Sequence, residues 1–275
     1  MRVFSWNTAG RLGRADQQIA AIRERGPDVV CLQEVRRSTA DVLKRGLSAA
    51  GLIHALDSLA PADVSAFNSR SRQTGTLIAS RWPLRALPGP DIPWPEKALS
   101  TLIELPDAQI EVHTVHVPPG SSNGWIKIDT FHGIYKRLAR TSGVARLLCG
   151  DFNAPQRETS DGRVITWGED EVEGQIACWG KYGGRTGKEW DAGERSVLQG
   201  LAKFDLHDAF RGLHGFGVQA FSWYLKRKQK TIGRRFDHIF VSRRFKVLAC
   251  DYLHQIRAAN LSDHSPVEAH LDGPR

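Results

Sequence analysis

The sequence predicts a mixed α/β fold built on more than one β-sheet. Three observations carry this expectation. Short apolar runs of strand length recur, such as Val29-Val30-Cys31-Leu32 and Leu147-Leu148-Cys149. In the first half, segments with helical periodicity separate them, whereas in the second half strand-like runs follow one another with little helix between. The chain has 275 residues, 41% hydrophobic and 25% charged, with 11 Phe and 8 Trp, which excludes both a disordered chain and a disulfide-stapled mini-protein. We read residues 1–275 as one domain.

Residues 2–6 form the first expected strand. Residues 14–25 follow as a helix with Ala15, Ile19 and Ile22 on its inner face, stopped by Gly26-Pro27. A buried strand is expected at 28–32, a helix at 39–50 ended by Gly51, and strands at 76–80, 100–105 and 110–116, with 83–95 as a proline-rich connector. Ser121 or Ser122 caps a helix reaching about Arg140, since Ile128, Phe131, Ile134, Tyr135 and Leu138 recur at helical spacing. A strand at 145–149 follows. From 157 to 194 the text changes to an acidic run, a glycine-rich run and three tryptophans, Trp167, Trp179 and Trp190, which reads as a long excursion on one domain rather than a linker. A helix at 196–203 and strands at 220–224, 236–241, 246–252 and 266–271 complete the chain.

Thirty-eight Lys and Arg against 30 Asp and Glu give a formal charge of +8, a field that attracts polyanions and favours solubility without by itself defining a nucleic-acid protein. Cys31, Cys149, Cys178 and Cys250 are widely spaced, two of them inside apolar runs, as core cysteines in a reducing compartment would be. No apolar stretch is long enough to span a membrane, and Met-Arg-Val-Phe-Ser-Trp-Asn lacks the features of a signal peptide. The expected location is the cytoplasm, with no membrane partner.

Several motifs fail on inspection. Gly183-Gly184-Arg185-Thr186-Gly187-Lys188 resembles a phosphate loop, but Tyr182 stands where its first glycine belongs and Glu189 replaces the Ser or Thr. His113 and His116 are three apart on a strand, so they point to opposite faces and only one can serve a given site. What remains is a set of acidic and amide residues at the ends of apolar strands. Val29 to Leu32 runs into Gln33-Glu34, and Leu147 to Gly150 runs into Asp151-Phe152-Asn153, where the i, i+2 spacing sends both polar side chains to one side. Strand tips are rigid mounts that can hold carboxylates close enough to bind a cation. Asp237 shares a strand face with Ile239 and Val241, so it needs a partner, and His264 in Ser262-Asp263-His264-Ser265-Pro266 is available.

Taken in order, Ser5-Trp6-Asn7, Leu32-Gln33-Glu34, Ser80-Arg81-Trp82-Pro83-Leu84, Thr114-Val115-His116, Gly150-Asp151-Phe152-Asn153, Arg235-Phe236-Asp237-His238 and Ser262-Asp263-His264-Ser265-Pro266 resemble the endonuclease/exonuclease/phosphatase superfamily, which has the deoxyribonuclease I fold. The resemblance implies a four-layer α/β sandwich of two packed mixed β-sheets flanked by helices. It also implies a phosphodiesterase or phosphatase dependent on Mg²⁺ or Mn²⁺. Carried over by position, Glu34 is the principal metal ligand, with Asn7 and Asp263 beside it. Asp151 and Asn153 orient or activate water, Asp237 orients His264, and the metal, His116 or both stabilise the leaving oxygen. Either Asp151 or His264 removes the proton from water.

Phe221-Ser222-Trp223-Tyr224, followed by Lys226, Arg227, Lys228, Lys230 and Arg234, resembles the DNA-facing segment of exonuclease III-like and abasic-site endonucleases. It supplies an apolar wall for an extruded sugar or base and a rail of cations for phosphates. DNA is therefore the expected substrate, cut endonucleolytically or from a 3′ end. Ala9, Val35-Arg36 and His116 depart from the abasic-site group, so the N-terminal half resembles the broader superfamily. The alternative is a phosphatase or phosphodiesterase acting on inositol, lipid or other small phosphates. The 157–194 excursion has no counterpart in the resemblance and is expected to shape the cleft.

Overall fold

The computed structural model describes residues 1–59, 72–228 and 230–274. The first half comprises β1 (Arg2–Asn7), α1 (Ala15–Arg25), β2 (Val29–Arg36), α2 (Arg37–Ala49), β3 (His54–Asp57), β4 (Thr74–Ser80), β5 (Leu84–Leu87), β6 (Ala98–Glu104), β7 (Gln109–His116), α3 (Gly120–Asn123), α4 (Ile126–Leu138) and β8 (Ala145–Asp151). Three small hairpins follow: β9 (Arg157–Glu158) with β10 (Val164–Ile165), β11 (Glu169–Val172) with β12 (Gln175–Cys178), and β13 (Lys181–Tyr182) with β14 (Arg185–Thr186). Then come α5 (Gly187–Leu198), β15 (His207–Asp208), α6 (Ala209–His214), a hairpin of β16 (Trp223–Arg227) and β17 (Lys230–Arg234), β18 (Asp237–Val241), β19 (Lys246–Tyr252), α7 (His254–Ala258) and β20 (Val267–Asp272).

Two six-stranded sheets carry the fold, ordered β19-β20-β1-β2-β4-β3 and β15-β18-β8-β7-β6-β5. Each is mixed, since β1–β2 and β7–β8 pair in parallel while their other pairs are antiparallel. Alternate residues of each strand serve opposite faces, which is why the central strands read as continuous apolar runs. Val3, Val29 and Cys31 of one sheet meet Val112, Leu147 and Ile239 of the other in the central layer. The outer face of the first sheet, with Phe4, Val30 and Leu32, packs on Ile22 of α1 and Leu43 and Leu47 of α2. The outer face of the second, with Leu148 and Phe240, packs on Ile128, Phe131 and Ile134 of α4 and Val197 of α5. The result is a four-layer α/β sandwich.

Most expected elements are present within a few residues, and the differences have local causes. The 83–95 connector contains the edge strand β5. The helix expected from Ser121 to Arg140 is broken after α3 at Gly124, whose φ of +55° no helix residue adopts. The helix expected at 196–203 is displaced: α5 runs from Gly187 to Leu198, and a separate 3-10 turn follows at Gly200–Phe204. Thr186 and Glu189 form a reciprocal capping box at the start of α5, and positive φ at Gly183 and Gly184 makes the β13–β14 turn. The excursion is thus three hairpins leading into α5. Its Trp179 and Trp190 pack with Trp125, with centroids 5.0 to 6.1 Å apart. Among the described residues no helix is long and apolar enough to cross a membrane.

One glycine sets the geometry of the site. Gly150 has φ +146°, and a Cβ there would run into the Val115 carbonyl. Its absence lets β7 and β8 pair to their ends, so that His116 lies opposite Asp151, which in turn lies opposite Asp237 of β18. Asn7, on the other sheet, ends β1 opposite Gln33.

Candidate active site

Polar groups gather where these strands end. Glu34 has φ +55°, and the β2–β4 register shifts between Leu32 and Val35, so a bulge turns Glu34 out of the ladder. Backbone strain of this kind costs about 1–3 kcal/mol and persists only where surroundings impose it. Here Gln33, fully buried, imposes it: its Nε2 donates to Thr114 Oγ1 of the opposite sheet (2.9 Å) and to the Cys31 carbonyl (3.2 Å).

Asn7 Nδ2 bridges two carboxylates, donating to Glu34 Oε1 (3.0 Å) and Asp151 Oδ2 (2.8 Å), while its Oδ1 accepts from Ala9 N (2.9 Å). Asp151 Oδ1 accepts from Asn153 N (2.8 Å). His116 Nε2 lies 3.6 Å from Glu34 Oε1 and 3.9 Å from Asp151 Oδ2. His113 faces away and meets Ser100 Oγ (2.8 Å), as strand alternation requires. His264 Nδ1 is 2.7 Å from Asp237 Oδ2, and its Nε2 is 3.8 Å from Asp151 Oδ2. Ser262 Oγ donates to the Asn7 carbonyl (2.7 Å) and accepts from His264 N (3.1 Å), tying this loop to β1.

Electrostatics follow from burial. Asp151 is 1% exposed, and desolvation raises its carboxyl above the usual range, opposed by His264. Burial pushes the His264 imidazole down, but Asp237 and Asp151 outweigh it and hold it up. His116 is driven well below its ordinary value by burial, with Lys97 and His264 adding to the effect, so it is a neutral ring.

The donor set suits a hard divalent cation. Glu34, His116 and Asp151 present ligand atoms within 4.8 Å of one another, and Asp151, Asp237 and His264 form a second such group. Asn7 Oδ1 retains a lone pair beyond the one given to Ala9. Asp263, expected beside Glu34, belongs to neither group. It is exposed, and its Oδ2 accepts from Trp223 Nε1 (3.1 Å).

Of the expected substrate residues, Trp223 stacks on Phe236 (5.5 Å) and approaches the His264 ring (6.5 Å), so the aromatic wall begins beside the imidazole. Phe221 packs edge-on to Tyr224 (5.9 Å). Lys226, Arg227 and Lys228 are exposed along the β16–β17 hairpin, while Arg234 is half-buried over the Trp167 ring (5.5 Å). Residues not expected at the site from the sequence also reach it. Lys127 Nζ and Trp167 Nε1 both donate to the Asn153 carbonyl (2.9 and 3.0 Å), and Glu194 pairs with Lys127. The signal was present: Lys127 stands in the apolar stripe with Phe131 and Ile134, and Glu194 in that with Trp190 and Val197.

Strand tips of a two-sheet sandwich thus collect acidic groups and a carboxylate-held imidazole, a set that can hold a cation and serve acid–base chemistry. The family model described as Endonuclease/Exonuclease/phosphatase family matches residues 4–264, and the chain belongs to that family. Among solved structures, an AP endonuclease from Archaeoglobus fulgidus is similar in fold, with TM-score 0.72 and 19% identity, covering 99% of this chain and 100% of that one. The 3′ phosphatase NExo from Neisseria, bound to a product DNA hairpin, gives TM-score 0.67 and 19% identity with coverage of 99% and 100%. D. rerio TDP2 complexed with a single-strand DNA product gives 0.65 and 15%, with 99% of each chain covered.

Proposed function

We propose that this protein is a divalent-metal-dependent DNA phosphodiesterase, acting as an endonuclease or 3′ exonuclease through in-line attack of water on phosphorus. The observation that carries the reading is a continuous path. It leads from the Glu34–Asn7–Asp151 cluster, through His264, to the Trp223–Phe236 wall and the exposed cations of β16–β17. The DNA-bound states of the NExo and TDP2 structures support it.

Glu34 and Asn7, with Asp263 as the further ligand the resemblance implies, would hold Mg²⁺ or Mn²⁺ next to Asp151. Bound there, the cation would offset phosphate charge and favour ionisation of water. Asp151 accepts the proton of the attacking water, a role open to a carboxylate whose oxygens face the cluster and are oriented by Asn7 and Asn153. Asp237 fixes the His264 ring so that Nε2 faces Asp151 and the phosphoryl oxygens. Neutral His116 donates toward the leaving oxygen.

The test presents purified protein with duplex DNA with and without an abasic site, nicked DNA, and soluble inositol phosphates, each with Mg²⁺, Mn²⁺ or chelator. Metal-dependent DNA cleavage is expected. Phosphate release from the small substrates without DNA cleavage would replace this reading with the small-phosphate alternative.

A further inference from the structure

A lysine on the inner face of a helix, closed off from solvent, requires an explanation. Lys127 of α4 is 1% exposed, and the rings of Phe131, Trp167 and Trp190 lie within 6.0 Å of its ammonium. Its Nζ pairs with Glu194 Oε1 of α5 (2.7 Å) and donates to the Asn153 carbonyl (2.9 Å). Glu194 is itself fully buried. Its Oε1 also accepts from Trp190 Nε1 (2.8 Å), and its Oε2 accepts from the backbone N–H of Trp167 (3.2 Å). Trp167 then sends its indole Nε1 to the same Asn153 carbonyl (3.0 Å).

Two donors from different elements therefore converge on one carbonyl. It belongs to a residue with φ +49°, whose N–H is bonded to Asp151 and whose side-chain amide donates to Val117 O (2.9 Å). Buried ion pairs are poor sources of stability, and an apolar pair of similar volume would join α4 to α5 at least as well. An apolar pair could not hold a carbonyl turned inward by a left-handed residue.

We propose that Lys127, Glu194 and Trp167 are positioning residues, a buried strut that locks the Asn153 peptide in its left-handed turn and so aims Asn153 and Asp151 at the reacting phosphate. This assigns a task to the 157–194 excursion, because Trp167 and Glu194 both belong to it: it braces the catalytic turn from behind. The inference deepens the phosphodiesterase reading and depends on it only for the activity measurement.

The test compares Trp167→Phe, which keeps a ring and removes one donor, with Lys127→Met/Glu194→Gln, which removes both charges together so that neither is left unpaired. For each, kcat and KM on a DNA duplex cleaved by the wild type are measured at a temperature where the variant is folded. The conformation of Asn153 is determined by crystallography. A one-ångström misplacement at a reacting centre lowers turnover by about a hundredfold, so the double variant should lose about ten- to a hundredfold in kcat with KM within about twofold. Trp167→Phe should lose about threefold, the effect of one neutral hydrogen bond. In the double variant Asn153 should leave the left-handed region. A folded double variant with wild-type kcat, or one that retains φ near +49° at Asn153, overturns the strut. If the double variant does not fold, an unchanged kcat in Trp167→Phe overturns it. If the wild type cleaves no phosphodiester with either metal, the functional reading fails and the Asn153 conformation alone decides the strut.

Discussion

Arg235 and the run Lys226-Arg227-Lys228 are near neighbours in sequence, yet the structure uses their charges in opposite ways. Arg235 is buried, with Glu158 at 2.6 Å and Asp208 at 2.8 Å, two residues before Asp237. Lys226, Arg227 and Lys228 stand exposed on β16 and at its end, and no ion pair joins them to a carboxylate among the described residues. A buried, doubly paired cation is framework, fixing the tip of β18 and thereby the Asp237–His264 pair. Exposed unpaired cations leave their field open to an anion from outside. Net charge sums the two kinds, so it does not measure how much positive surface a substrate meets.

The largest effect should come from the side of this contrast that holds the reacting groups. Asp151→Asn keeps the shape of the side chain and an oxygen for the Asn153 N–H but removes the negative charge. It should lower kcat by on the order of 10³-fold while leaving DNA affinity in chelator unchanged, as expected of a group acting in the transition state. Steady-state kinetics with an electrophoretic binding assay separate the two quantities. More than a tenth of the activity remaining would move Asp151 from the chemistry to the scaffold.

The framework itself gives the next effect. Burial pushes the Glu158 carboxyl up, but Arg235 and Arg211 outweigh it and hold it at about 2 instead of 4.5. A carboxyl held down in the folded state stabilises fully above its unfolded value, and the contribution is lost as pH falls from about 4.5 toward 2. Glu158→Gln should therefore lower unfolding free energy by roughly 3 kcal/mol at pH 7, and the gap to wild type should close below pH ~4.5. Denaturant titrations at a series of pH values measure it. A gap that does not vary with pH would mean that Glu158 contributes by packing alone.

What could be read from the sequence follows the same division. Residues at strand tips were legible because each follows an apolar run that says where the strand ends, as with Leu32 before Gln33-Glu34 and Cys149-Gly150 before Asp151. The Asp237–His264 contact was legible because a carboxylate on the face shared with Ile239 and Val241 needs a partner. The four-layer architecture came from the ordered motifs rather than from periodicity, which alone reached only as far as more than one sheet. The hairpins of 157–194 were not legible, since strands of two to four residues carry too little period. Lys127 and Glu194 each stand as a charge in an apolar stripe, but their pairing was not legible, because the two residues meet only once α4 and α5 pack. Asp263 shows a further limit: its sequence position beside His264 gives no sign that the Trp223 indole would hold its carboxylate.

The smallest effect, and the one that tests the exposed side of the contrast most directly, belongs to the hairpin. Among the described residues Lys226, Arg227 and Lys228 make no ion pair and lie outside the hydrophobic core, so replacing all three by Ala should change stability by no more than about 0.5 kcal/mol per site. If they track phosphates, each lost contact reduces the slope of log affinity against log salt by roughly 0.9 on duplex DNA. The triple variant should then bind DNA several-fold more weakly at low salt, converge on wild type at high salt, and keep its kcat at saturating substrate. Trp223 is left in place, because it carries the Asp263 hydrogen bond and its loss would mix recognition with the chemistry. Equal salt slopes in the variant and the wild type would make the hairpin a solvated turn and shift recognition to the Trp223–Phe236 wall and Arg234. The opposite result, a loss of kcat without a change in slope, would mean that the hairpin acts on the reacting centre through Trp223, and the separation between framework and recognition would fail.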